Sequence, residues 1–347
     1  MDSVTQIALG AGIAGACAPK EHRRKALLAG AALGTLPDLD VLIDYGDAVR
    51  NFTYHRGFSH SLFVLAPFSI VLWLALKKIW APVREAPRRW LAAISITLLT
   101  HPLLDAHTAY GTQLLWPLQT PPVSWSTLFI IDPLYTLPLL VGAIYAAVRP
   151  LTVRSDTLLR AGLALSSVYL AWSWAAKLHV ENLVQEAMAE SGLGSAPLFS
   201  TPSPFNTLMW RVVVPTDDGY LEGNYSLYAD NGELNLVHYP FDRELLERSN
   251  DLWSARRLRW FAQDFVRADL VDGELVLSDL RMGQAPTYVF SHAIARDNGS
   301  GFEPTPTRLI PASFEARQLG EVWIAIWEGN APAGGIELRD PAISADD

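Results

Sequence analysis

Ser61–Ile79 reads SLFVLAPFSIVLWLALKKI, with no charge until Lys77 and Lys78 at its end. A helix of this length reaches across the roughly 30 Å hydrocarbon core of a bilayer, which takes about 20 apolar residues. Working outward, three further segments approach the same length: Trp90–Ala109, Thr127–Val148 and Thr157–Ala176. Each keeps its ionisable residues near one end: His101, Asp105 and His107 in the first, Asp132 in the second, Arg160 in the third. Two earlier segments, Val4–Ala18 and Lys25–Ile43, are rich in Gly and Ala, a composition that suits close helix packing in a membrane. They either span or dip in as a hairpin. So many apolar segments in succession predict an α-helical membrane bundle of four to six helices over residues 1–180, not the buried helices of a large soluble protein.

The remainder has a different character. Residues 181–204, with Pro202 and Pro204 near their end, are expected to be a linker, and 205–347 a mainly β (α+β) soluble domain. Trp210–Val214 and Tyr220–Tyr228 alternate in strand fashion around an Asp217-Asp218-Gly219 turn. Leu234–Tyr239, Glu274–Leu277, Tyr288–Ala295 and Glu321–Trp327 read as further strands, and Phe241–Ser249 and Trp253–Phe261 as short helices. Across the whole chain 18% of residues are charged, against about 25% in ordinary globular proteins. The net charge of -9 and the lack of a basic run argue against a nucleic-acid partner. A single cysteine, Cys17, rules out an intramolecular disulfide, and the N-terminus lacks the basic region and cleavage site of a signal peptide.

Positive charge sets the expected orientation. Lys20, Arg23, Arg24 and Lys25, then Lys77 to Arg89, then Arg149, Arg154 and Arg160, fall in alternate connections and are expected on the cytoplasmic side. That leaves residues 44–60, 110–126 and the C-terminal domain facing outward, on the periplasmic side of an inner (plasma) membrane.

Charged groups at membrane depth are costly, so by default they mark function or pair with one another. The histidines and aspartates among them fall at the predicted outward ends: Asp38 and Asp40 in Leu36-Pro37-Asp38-Leu39-Asp40, His55 and His60 in His55-Arg56-Gly57-Phe58-Ser59-His60-Ser61, His101 and Asp105 four residues apart, then His107 and Asp132. A spacing of four puts His101 and Asp105 on one helix face, and imidazole with carboxylate is a common ligand set for zinc and related ions. Asp40, His55, His60, His101, Asp105 and His107 are therefore candidate metal ligands, for a divalent ion with zinc favoured and manganese the alternative. His107 needs a bend to join them, and the competing reading is a hydrogen-bonded core histidine. Of Asp38 and Asp40, one can bind metal while the other orients a histidine. Asp38, Arg56 and Asp132 are candidate catalytic residues. Asp132 before Pro133 also reads as a helix cap, Arg56 as an ion-pair partner of Asp38 or Asp40, and Asp2 as the cap of the first helix.

Neither His-Glu-x-x-His nor Gly-x-Ser-x-Gly occurs. Mixed His and Asp ligands with carboxylates to spare suit activation of a water for attack on an ester or phosphoester. The segments Met1-Asp2-Ser3-Val4-Thr5-Gln6, Gly34-Thr35-Leu36-Pro37-Asp38-Leu39-Asp40, His55-Arg56-Gly57-Phe58-Ser59-His60-Ser61 and His101-Pro102-Leu103-Leu104-Asp105 resemble the YdjM-like family of inner-membrane proteins. The resemblance covers about the first 180 residues and implies an inner-membrane location and metal-dependent hydrolysis. His101-x-x-x-Asp105 and the Asp40-to-His55 region are also similar to zinc-dependent phospholipase C and its related single-strand nucleases, although a second His-x-x-x-Asp pair is missing. The expected activity is thus a membrane metallohydrolase acting on a phosphoester or on a small-molecule or lipid substrate. The alternative is a metal-binding transport or structural protein without hydrolase activity. Oligomeric state is not legible.

Overall fold

A computed structural model describes residues 1–230, 232, 234–312 and 316–329. The chain divides into two compact units: Met1–Ile43 with Tyr54–Ser173, and Asp44–Thr53 with the chain from Trp174 onward.

The first unit is helical. Helix α1 (Ser3–Cys17) starts where the Asp2 carboxylate accepts hydrogen bonds from the Val4 and Thr5 amides, as the sequence predicts. It crosses α2 (Arg23–Thr35) at very short range. A Cβ on Gly30 would sit 2.1 Å from the Gly10 carbonyl oxygen, and one on Gly34 would sit 2.4 Å from that of Gln6. Gly30 and Gly34 form the small-xxx-small spacing that lets two backbones touch. A 3-10 turn (Pro37–Leu42) follows, then α3 (Ala48–Tyr54), whose body lies in the second unit, and a second 3-10 turn (Phe58–His60). Helix α4 (Leu62–Ile79) leads through the short α5 (Ala81–Glu85) into α6 (Pro87–Asp105), and Leu65 of α4 packs on Ile94 and Leu98 of α6. Helix α7 (Pro133–Val148) crosses α8 (Val153–Glu190) by the same glycine device, with Gly142 against the Leu158 carbonyl and Gly162 against that of Pro138. Leu9, Ile13, Leu104, Leu128, Tyr135 and Leu139 form the core between α1, α6 and α7.

Among the described residues one helix, α4, is both long and apolar enough to cross a membrane. The other three predicted spans do not appear as predicted. α6 runs through Pro102 and stops at Asp105, where the chain turns and the His107 amide donates to the Leu104 carbonyl. The stretch 127–131 is not helical, and α7 begins at Pro133 with only 16 residues. Thr157–Ala176 is an inner portion of the 38-residue α8. Val4–Ala18 corresponds to the 15-residue α1, and Lys25–Ile43 breaks after Thr35 into the first 3-10 turn.

The second unit is rich in sheet. α8 runs on to Glu190, well into the stretch 181–204, and β1 (Phe199–Pro202) lies near its end. With β2 (Met209–Pro215), β3 (Gly219–Ser226) and β4 (Val237–Pro240), β1 forms an antiparallel sheet in sequence order. Val180, Val184 and Met188 of α8 pack on Trp210, Val212, Val214 and Leu221 of one face. After α9 (Glu244–Arg248) and α10 (Trp253–Phe261), β5 (Val266–Val271) and β6 (Glu274–Asp279) enter a second antiparallel sheet, and β7 (Gly283–Gln284) pairs with β8 (Thr287–Tyr288). β9 (Ser291–Asp297) and β10 (Phe302–Ile310) complete the second sheet in the order β10-β9-β6-β5. The expected strand Glu321–Trp327 is instead part of helix α11 (Ala316–Glu328). Its continuous run Val322–Trp327 carries no period, and such a run fits a helix as well as a strand.

Charges buried in the second unit are matched. Arg211 Nε and Nη2 donate to both Glu222 oxygens at 2.9 and 2.8 Å, and the Tyr288 hydroxyl and Ala285 amide donate to the same carboxylate. Arg281 and Asp279 are fork-paired at 2.9 and 2.6 Å.

Candidate metal centre

Four side chains of the helical unit converge: Asp38 from the first 3-10 turn, His60 from the second, and His101 and Asp105 from one face of α6. The two Nε2 atoms are 3.2 Å apart. Asp38 Oδ1 lies 3.3 Å from His60 Nε2 and 3.4 Å from His101 Nε2. Asp105 Oδ2 lies 3.1 and 3.5 Å from the same nitrogens. A tetrahedral ion about 2.0–2.1 Å from its ligands separates them by roughly 3.3–3.4 Å, so these five separations fit one such ion.

The proton positions make the fit stronger. His101 Nδ1 is 2.6 Å from the Gly34 carbonyl oxygen, which can only accept, so Nδ1 carries a proton and Nε2 is the atom that faces the cluster. His60 Nδ1 is 2.9 Å from Ser59 Oγ, whose own proton goes to Asp40 Oδ2 at 2.5 Å, so His60 takes the same tautomer. The two Nε2 atoms then face each other at 3.2 Å, beside two carboxylates. Asp105 Oδ2 is buried and has no properly aligned hydrogen-bond donor. A shared cation resolves all of these contacts at once.

The surroundings hold the ligands in place. Gln6 Nε2 donates to Asp105 Oδ1 at 3.0 Å and to the His101 carbonyl at 3.2 Å, and the Met1 amino group also reaches Asp105. Asp40 organises the loop that carries His60: its carboxylate takes His55 Nδ1 at 2.8 Å, the Arg56 amide at 3.0 Å and Ser59 Oγ. Burial pushes the Asp40 carboxyl up, but the His55 hydrogen bond and the nearby imidazoles outweigh it and hold it below the usual carboxylate range. At Asp38, too, burial opposes ionisation and the His101 and His60 contacts win, so it stays ionised at neutral pH. Arg56 adopts φ +58°, a left-handed conformation uncommon for a residue with a side chain, and Gly57 follows it, where a Cβ would meet the Tyr54 carbonyl at 2.7 Å. The buried guanidinium lies 3.3 Å from Asp105 Oδ2, donates to Thr108 Oγ1 and covers the Tyr110 ring.

The sequence-based candidates therefore separate. His60, His101 and Asp105 sit in the cluster as expected ligands, and Asp38, expected as catalytic, joins them. Asp40 and His55, expected as ligands, pair with each other beside the cluster. His107 does not reach it: the turn after Asp105 aims its ring at the Leu103 carbonyl, 2.8 Å away, and against Trp125. Asp132 caps α7 through the Leu134 and Tyr135 amides and accepts from the Tyr169 hydroxyl. Arg56 faces Asp105 and not Asp38 or Asp40. The supporting roles of Gln6, Ser59 and the Gly34 carbonyl were not singled out in the sequence, although all three lie within its quoted motifs.

These features define a class: a helical unit with a buried two-histidine, two-aspartate cluster able to hold a metal ion. The particular family follows from comparison. The chain belongs to the YdjM inner membrane protein family, whose model matches residues 1–180. That membership points to an inner-membrane location. No curated protein and no solved structure matches the chain.

Proposed function

We propose that the helical unit is a metal-dependent hydrolase working at the outward face of the inner membrane on a phosphoester or lipid-type substrate. The observation that carries this reading is the convergence of two imidazole Nε2 atoms and the Asp38 and Asp105 carboxylates on one point. Asp38, His60, His101 and Asp105 would hold the ion, with zinc first and manganese second as expected from imidazole and carboxylate ligands. A bound divalent cation supplies Lewis acidity and lowers the pKa of a water in its reach.

The protein's own groups divide the remaining work. His60, His101 and Asp105 have no exposed side-chain surface, whereas the Asp38 side chain is 18% exposed. Solvent and substrate therefore approach on the Asp38 side; with Oδ1 turned to the ion, its Oδ2 would be the atom to take a proton from an attacking water. Arg56 offsets the charge of Asp105 from within, and Asp40 fixes His55 and the loop backbone. Support for a lipid-type substrate comes from Leu39, Leu42 and Phe58, close chain neighbours of Asp38 and His60, which present exposed apolar surface. The outward orientation rests on the distribution of Lys and Arg.

The test is elemental analysis of the full chain purified in mild detergent, wild type against His60→Ala, followed by a hydrolysis panel of phosphomonoesters, phosphodiesters and phospholipids. About one or more ions per chain in the wild type, lost in the variant, with metal-dependent turnover of one substrate class, is the expected result. A wild type that takes up neither zinc nor manganese sinks the proposal.

A further inference from the structure

Between Asp38 and His60 the chain leaves the helical unit. Residues 44–53 belong to the second unit, and the chain re-enters the first at Tyr54. The excursion is tightly held. Val49 is fully buried, and Phe52 lies between the rings of Phe261 (4.7 Å), Phe290 (4.5 Å) and His292 (5.1 Å). The Val49 amide donates to Thr307 Oγ1, whose hydroxyl donates to Asp47. Arg257 grips the end of α3 twice, its Nε to Thr53 Oγ1 at 3.0 Å and its Nη2 to the Thr53 carbonyl at 3.1 Å.

Thr53 is two residues from His55 and seven from His60, and Asp44 is six from Asp38. The segment that joins two metal-binding residues is thus fixed by the second unit, and its ends are the loops that carry those residues. We propose that the C-terminal unit is a positioning element for the metal centre: by clamping α3 it restricts the chain that carries Asp38 and His60, with Arg257 and Phe52 as the positioning residues. This rests on the metal-site reading above. The coupling runs along the covalent chain. Free, the segment between Asp38 and His60 samples many conformations, and each ion bound must restrict it; clamped, much of that entropy is already lost on folding. Two loops that would be free to drift are held to a defined end-to-end span.

The experiment measures zinc affinity of the full chain in detergent by competition with a chromophoric chelator, for wild type, Arg257→Ala, Arg257→Lys, Phe52→Ala and, as a control within the same unit, Glu222→Gln. Near-UV circular dichroism identifies the variants in which the second unit stays folded. The expected result is roughly 10-fold weaker zinc binding in Arg257→Ala, the range in which residues beyond the ligands act. Phe52→Ala is weaker still, Arg257→Lys recovers part of the loss, and Glu222→Gln binds as wild type. Wild-type affinity in both Arg257→Ala and Phe52→Ala overturns the positioning role while leaving the metal site intact. Equal weakening in Glu222→Gln and Arg257→Ala overturns it in favour of general loosening. No zinc binding in the wild type removes the metal site and this inference together.

Discussion

The two units bury ionisable side chains equally deeply but finish them differently. In the C-terminal unit every acid described above has its base: Glu222 takes both Arg211 nitrogens and Asp279 takes those of Arg281. In the helical unit Asp38, His60, His101 and Asp105 turn their polar atoms on one another, and the cations beside them, Arg56 and the Met1 amino group, both sit on Asp105. A closed pair rigidifies a fold, whereas a convergent open set asks for a ligand. Burial by itself does not tell function from structure; the count of donors against acceptors does.

That contrast can be broken in order of expected effect. His101→Ala removes a ligand, and metal affinity should fall at least ~10⁴-fold, about 5.6 kcal/mol at about 1.4 kcal/mol per tenfold, as read by chelator competition. Melting of the second unit in metal-free buffer should be unchanged. Glu222→Ala strands the buried Arg211 and should lower the second unit's stability by about 3–5 kcal/mol in denaturant unfolding. Metal content should stay at the wild-type level wherever that unit remains folded. A Glu222→Ala protein that unfolds at wild-type denaturant would show that the closed pairs are not structural.

The next effect is acid sensitivity confined to the second unit. Burial pushes the His292 ring down to about 4 despite Asp279 and Asp47 nearby. Its folded value lies below the unfolded one of about 6.5, so its contribution is fully present above pH 6.5 and is lost as pH falls toward 4, roughly 3 kcal/mol in all. His292→Gln should flatten that pH dependence in thermal melts. The smallest effect belongs to Asp132: with no place in the cluster, Asp132→Ala should cost about 1 kcal/mol of helix capping and leave metal content untouched. Loss of metal in that variant would move Asp132 back into the site.

How far the sequence could be read follows from the same physics. His60, His101 and Asp105 stood out because ionisable groups in apolar helices need a reason to be there, and the four-residue spacing on α6 fixes a shared face. Which of Asp38 and Asp40 enters the cluster depends on a 3-10 turn, where neither the helical nor the strand period applies. His107 failed because the chain turns once more after Asp105. Asp44–Thr53 carries no local sign of its place in the second unit, which rests on contacts more than 200 positions away, such as Arg257 with Thr53. Four to six spans are not confirmed, because apolar composition marks a segment as buried or lipid-facing but does not say where its helix begins and ends, as at Asp105 and Pro133.

The glycine crossing of α1 and α2 also bears on the genetics of this protein. Gly34 is not a ligand, yet its carbonyl sets the His101 tautomer and its missing side chain admits Gln6, the donor to Asp105. Any replacement there pushes the Gln6 backbone away and disturbs both. In a mutational survey Gly34 should therefore score as intolerant as the histidines, and a conservative change to alanine should produce the phenotype of a lost ligand in a chain that still carries all four.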